Sequence, residues 1–295
     1  MRNPTPRSLL QGAPHWEINR WGIIFFGLVA GVMCLPQAAE AAVVCRQQSI
    51  AAGGSSQEEI RRNALRSIPW DKLSPAARAR ADSVLSNVSV FRRLPTKVID
   101  CNPDLYLYLV RNPDVVVNLW EVLDVSRLRM SRCEEERFRL TEPGGVAVTV
   151  EYLYRSHNLH LVYGEGLYIG PLLARPIRGR GLLVLKTAYV QEPTERYYIA
   201  SRLDCFLSIE PLGVELAAKT VSPLLGKTAD DNFIQTLNFV AALSRTAELN
   251  PQRVHSLAAK LERVPPQVRE RFIEVAAGVS QKSAFTAHAD SPNRR

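Results

Sequence analysis

The residues best able to do metal chemistry here are five histidines and five cysteines, and their spacing works against it. His157 and His160 form an H-x-x-H pair, which on a helix would put both rings on one face. Here the pair spans the short connection Ser156-His157-Asn158 between two strand-like runs, where it shares no face, and no nearby Cys or Asp completes a ligand set. There is no C-x-x-C for a zinc site. His255 has no identifiable partner, and His288 lies in the polar tail. Nucleophile elbows, Walker loops and Rossmann fingerprints are missing. Gly164-Glu165-Gly166 and Gly179-Arg180-Gly181 read as bend-formers rather than phosphate loops. Asp204 with Arg202, and Glu151 with Arg155, have acid/base chemistry, but strand parity sets them opposite the apolar face. They are expected to be solvated cross-strand pairs. No catalytic residue, metal or cofactor is expected.

A second set is more informative. Tyr152, Tyr154, Tyr163, Thr187, Tyr189, Tyr197 and Ser201 are read as facing inward, toward a helix that contributes Phe233, Leu237 and Val240. Aliphatic walls with a few hydroxyls fit a ligand cavity. The same set also fits a packed core whose tyrosines reach the rim.

The elements that must position these residues start with the strand RYYIASRLDCFLSIE. Tyr197, Ile199, Ser201, Leu203, Cys205, Leu207 and Ile209 alternate onto one face, the period-2 pattern of a half-buried strand. A helix follows, with Thr228 as expected N-cap, Asp230 and Asp231 in its first turn, and a stripe of Phe233, Leu237, Val240 and Ser244. Upstream, Asn102-Pro103-Asp104 and Asn112-Pro113-Asp114 each place a cap before a helix-starting proline, predicting helices over 103–110 and 113–123. From Ser126 the period is two, and with the bent VSVFRRLPTKVID this gives about seven strands. Their short sequential connections make them antiparallel. Gly164 and Gly166 are expected to mark a bulge or strong bend. Residues 215–220 fit either a short helix or a last strand.

Ser56 with Glu59 resembles a capping box that opens an N-terminal helix. A second helix is expected over 75–85, further helices to about 263 and 277, and a disordered polar tail over 281–295. Residues 1–41 read as a secretory signal: Arg2, Arg7 and Arg20, then the apolar run Gly22–Leu35, then Ala39-Glu40-Ala41. The mature chain would start at Ala42, exported to the periplasm or outside, with a membrane contact only if this segment stays uncleaved. The formal charge of +8 is spread without Lys or Arg runs, so no nucleic-acid partner is expected. Export permits disulfides. Cys45–Cys101 is the bridge expected if one forms, and Cys205 suits a buried thiol or a bridge alike.

NPDVVVNLWEV, the strands from VAVTVEYLYR to RYYIASRLDCFL, and the TADDNFIQTLNFV helix together resemble the helix-grip domain of the START and polyketide-cyclase superfamily. Within it, the PIRGRG, LVLKTAYV, DCFL and SPLLGKTADDNF run resembles an uncharacterised family of exported bacterial proteins. The resemblance implies an α+β fold over 88–249: a curved antiparallel sheet covered by a long C-terminal helix. A helical arm (42–87) precedes it and a helical extension (250–280) follows. It also implies a cavity between sheet and helix, hence an exported binding protein for a hydrophobic small molecule or lipid. The alternative is a structural or interaction module with a filled core and no ligand. A protein partner is not identified by the sequence.

Overall fold

In the computed structural model, residues 53–169, 176–193, 196–210 and 224–289 are described, with side chains at all of them but 224–225 and 281–289. One eight-stranded antiparallel sheet, one strand more than expected, separates two helical layers. The strands are β1 (Val90–Arg93), β2 (Lys97–Asp100), β3 (Arg129–Glu134), β4 (Arg137–Glu142), β5 (Val146–Arg155), β6 (Leu159–Tyr168), β7 (Ile177–Gln191) and β8 (Tyr197–Ile209). Their order is β1-β8-β7-β6-β5-β4-β3, with β2 also paired to β8. β3 to β8 are sequential neighbours, as short connections require. Gly164 and Gly166 lie opposite Gly181 and Gly179 without a break in register. No bulge falls at these glycines; it sits between Tyr152 and Tyr154 of β5.

The inner layer comprises α3 (Pro103–Arg111), α4 (Pro113–Val122), α5 (Ala229–Leu249), α6 (Pro251–Ala258) and α7 (Pro266–Ala289). Asn102 caps α3 by accepting from the amides of Asp104 (3.0 Å) and Leu105 (3.2 Å). Its own amide donates to Ser244 Oγ on α5 at 3.0 Å, so the cap also fixes one helix against another. Asn112 does not cap α4; its side-chain oxygen accepts from Arg132 instead (2.8 Å). α5 buries Phe233, Leu237, Val240, Leu243 and Ala247 along the expected stripe. Each large side chain among them contributes about 1.5–3 kcal/mol when fully buried.

The expected Thr228 cap does not form. Thr228 has helical dihedrals because it ends a π-type turn, Leu224–Thr228, that runs straight into α5. At the other end, α7 continues to Ala289, through most of the expected disordered tail. Its partners are α5, α6 and α3, so the extension is part of the inner layer.

The N-terminal arm forms the second layer. α1 (Glu58–Arg66) starts after Gln57 without a side-chain cap, so the expected Ser56–Glu59 box does not form. α2 (Pro75–Leu85) is capped by Ser74, which accepts from Ala77 N–H (3.2 Å). Ala64, Ile68, Leu73, Ala77, Ala81 and Val84 pack on Phe91, Leu161, Tyr163, Leu182, Val184 and Phe206 of the outer sheet face. Ser55 bridges Arg93 of β1, and Gly54 N–H donates to Asp230 on α5, which also receives both arms of Arg92. The arm is thus stitched to the sheet edge and to the start of α5. The signal segment, 170–175 and 215–220 lie outside the described residues.

Candidate functional site

The expected cavity residues divide between the two faces. Tyr152, Thr187, Tyr189, Ser201, Phe233, Leu237 and Val240 come together in the inner layer. Tyr197 stands half-buried at the first position of β8, its carbonyl accepting from Cys101 N–H (3.3 Å). Tyr154 and Tyr163 do not join them; both lie in the outer cluster under the N-terminal helices. The β5 bulge is the reason for Tyr154, because one extra residue reverses the parity of everything after it. Tyr163 lies opposite Glu151, and its hydroxyl donates to Glu165 (2.7 Å). Burial first, then the Glu165 carboxylate, push that phenol up to about 12.

At the centre of the inner layer stands Tyr106 of α3, a residue absent from the expected set. Its hydroxyl lies 2.7 Å from Ser201 Oγ and 3.1 Å from Thr187 Oγ1, and all three side chains are buried. The two sheet hydroxyls therefore satisfy the tyrosine rather than an open volume. Tyr152 donates to the carbonyl of Val110, and Tyr189 to that of His157 (2.9 Å). Burial raises the pKa of Tyr106, Tyr152 and Tyr189. The signal for Tyr106 was present in LYLYLV: read at helical spacing, Leu105, Tyr106 and Leu109 make one buried face. Replacing Tyr106 by phenylalanine is expected to cost about 1–2 kcal/mol, since it leaves two buried hydroxyls short of a partner. Urea unfolding would measure it, with Tyr168→Phe on the half-buried end of β6 as a control expected to cost less.

Two further groups sit in this layer. His160 is fully buried, edge-on to Tyr152 at 6.2 Å, and neither ring nitrogen has a hydrogen-bond partner among the described residues. Burial and then the charges of Arg111, Arg155 and His157 lower its pKa to about 4. His157 is exposed on the hairpin, its ring against Tyr189 at 4.3 Å, so the H-x-x-H pair is split. Arg111 Nε is also buried without a hydrogen-bond partner among the described residues. Cys101 carries a free, buried thiol pushed up to about 12, first by burial. Its Sγ lies 3.5 Å from the Asn102 carbonyl, and the expected Cys45–Cys101 bridge falls outside the described residues with Cys45. Cys205 is likewise a buried free thiol. No group of three His, Cys, Asp or Glu able to hold a metal occurs among the described residues. Nor is any helix among them long and apolar enough to cross a membrane.

The outer face overturns the expectation of solvated charges. Asp204 is fully buried and receives Arg93 bidentately, Nε at 2.5 Å and Nη2 at 2.9 Å. Arg93 Nη2 also donates to Asn63 of α1 (3.1 Å). Glu151 pairs with Arg137 (3.1 Å) and with Arg80 of α2; Arg155, which the β5 bulge turns to the side of His160, pairs with Glu136 instead. The physical cause is the helical arm, which covers a face that strand alternation alone leaves to water.

No known family matches the chain, and no curated protein matches it. Among solved structures it is similar to the Mll3558 protein from Rhizobium loti: 12% identity, 52% of this chain and 94% of that chain, TM-score 0.32. It is also similar to apo dicamba monooxygenase (15%, 73% of this chain and 63% of that chain, TM-score 0.29). A third likeness is to the di-domain ARO/CYC BexL (12%, 70% and 61%, TM-score 0.25). None of these likenesses carries a ligand, a reaction or a family, and the expected family of exported bacterial proteins does not emerge from them. The architecture rests on the chain's own geometry: an α+β fold of helix-grip type, a curved antiparallel sheet closed by a long C-terminal helix.

Proposed function

We propose that this chain is a structural or interaction module that works through its outer surface, with the layer between the sheet and α5 as its closed core. The observation that supports this is the Tyr106 hydroxyl, which takes up both Thr187 and Ser201 at the place where a ligand's polar group would bind. Phe233, Leu237 and Val240 from α5 fill the same layer, none more than 9% exposed. Such packing supports a filled layer over a site for an apolar guest.

A second reading, an exported carrier of a hydrophobic small molecule or lipid, is favoured by one feature. His160 and Arg111 hold buried nitrogens without hydrogen-bond partners among the described residues, and such groups can anchor a ligand's polar end. Native mass spectrometry and lipid extraction of the exported protein separate the two. The closed-core reading expects the bare chain mass and no saturable uptake of an apolar fluorophore. Stoichiometric lipid, or saturable uptake abolished by filling the layer with Val240→Phe, would replace it with the carrier. Export itself is proposed from residues 1–41, and N-terminal sequencing of secreted material should read from Ala42.

A further inference from the structure

On the outer face the helical arm stops short. Its helices cover the rows Phe91–Phe206–Leu182–Tyr163 and Arg93–Asp204–Val184–Leu161. The next row pairs Lys186 directly across from Arg202, and beyond it lie Ala188, Ala200 and Val98, then Val190, Tyr198 and Asp100. Val98 and Val190 are 54% and 55% exposed, which places them among the large hydrophobic side chains most open to solvent. Like charges set directly opposite on a sheet repel. Neither Lys186 nor Arg202 has an ion-pair partner among the described residues, because the nearby Asp204 is already taken bidentately by Arg93. Arg202 Nε is buried without a hydrogen-bond partner. Asp100, at the end of the last row, is paired with Arg196 at 2.9 Å. Among the described residues, two cations without ion-pair partners therefore border a small uncovered aliphatic surface.

We propose that this face docks on an anionic lipid surface, with Lys186 and Arg202 at the headgroups and Val98 and Val190 entering between them. The inference rests on the surface-acting reading above and names its partner. Size selects the occupant. Three strands about 4.8 Å apart and rows about 7 Å apart make a patch of roughly 10 Å by 14 Å. A stable protein interface needs about 800 Å² from each partner, whereas headgroup contact with shallow side-chain insertion needs no more than this. Charge agrees: the full sequence carries +8, and residues 42–295 alone (34 basic, 27 acidic) carry +7, a sign that steers the chain toward a negative surface. Burial, then mutual repulsion among Lys186, Arg202 and Arg93, lowers the pKa of both unpaired cations, a strain that an anionic neighbour relieves.

The test is flotation of the full chain with vesicles of phosphatidylcholine alone and of phosphatidylcholine mixed with phosphatidylglycerol, at low and at raised salt. Binding is expected only to the anionic vesicles and should be released by salt. A cation beside such a surface is worth about a fivefold factor in partitioning, so Lys186→Gln with Arg202→Gln should lower it about thirtyfold. Val98→Thr with Val190→Thr, at exposed positions where folding is unaffected, should lower it severalfold. Both variants should keep the parent's melting temperature. Equal binding to neutral vesicles, binding indifferent to both pairs of substitutions, or no binding to either vesicle would overturn the proposal. Insertion by the apolar run Gly22–Leu35 would show itself as the second of these. Failure here, with an interior that still excludes the fluorophore, removes the membrane and leaves the surface-acting module. Uptake of the fluorophore with vesicle binding intact removes the closed core instead.

Discussion

Replacing Asp204 by alanine is expected to destabilise the protein by about 3–5 kcal/mol, because it strips a buried ion pair of one partner. Asp204 is fully buried and its two oxygens take two nitrogens of Arg93. Without it, Arg93, Arg202 and Lys186 would share one end of the outer face with no carboxylate between them. The loss should be visible twice. The urea midpoint should fall, and the helical arm should become open to proteolysis before the sheet, since Arg93 also holds Asn63 of α1 and bridges Ser55. A double replacement, Arg93→Met with Asp204→Leu, should recover most of the stability, because an apolar pair of similar volume avoids the desolvation cost altogether. A single replacement within about 1 kcal/mol of the parent would show that the pair is solvated and that the arm is a loose cover.

The same pair shows where sequence reading stops. The helices at Pro103 and Pro113, the strand alternation from Val146 and the α5 stripe were all legible, because caps, prolines and periodicity act within a few residues. Arg93 and Asp204 are 111 residues apart, and nothing local in either segment announces the other. Alternation sorted β8 into two faces correctly. It cannot say that both faces are covered, so alternation alone leaves Asp204 to water and sets Tyr163 in the inner layer rather than the outer one. Parity also carries no memory across a bulge: one extra residue after Tyr152 was enough to misplace Tyr154. On the inner side the hydroxyls of Thr187 and Ser201 were found, but the group they bind was not. Tyr106 belongs to a helix whose β-prone letters hide its buried face.

Acid should reveal the cost of His160. Burial, then Arg111, Arg155 and His157, hold its imidazole down from 6.5 to about 4, so the fold accepts the neutral ring and the unfolded chain takes the proton first. This contribution to stability is complete above pH 6.5, declines as the pH falls, and is exhausted near pH 4. Across that window it amounts to about 3 kcal/mol, at about 1.4 kcal/mol for each unit of displacement. His160→Leu removes the titrating group together with two ring nitrogens that lack partners. At neutral pH the variant should be at least as stable as the parent, since unsatisfied buried polar atoms cost about 1–3 kcal/mol. Its stability should also fall less steeply between neutrality and pH 4, whereas His157→Leu on the exposed hairpin should leave the slope unchanged. Urea midpoints measured across that range would decide it. If His160→Leu keeps the parent's full acid sensitivity, the ring is not held neutral by its surroundings. If instead His160→Leu is strongly destabilised at neutral pH, its nitrogens make bonds the closed layer does not reveal, and the core has room for the partner that supplies them.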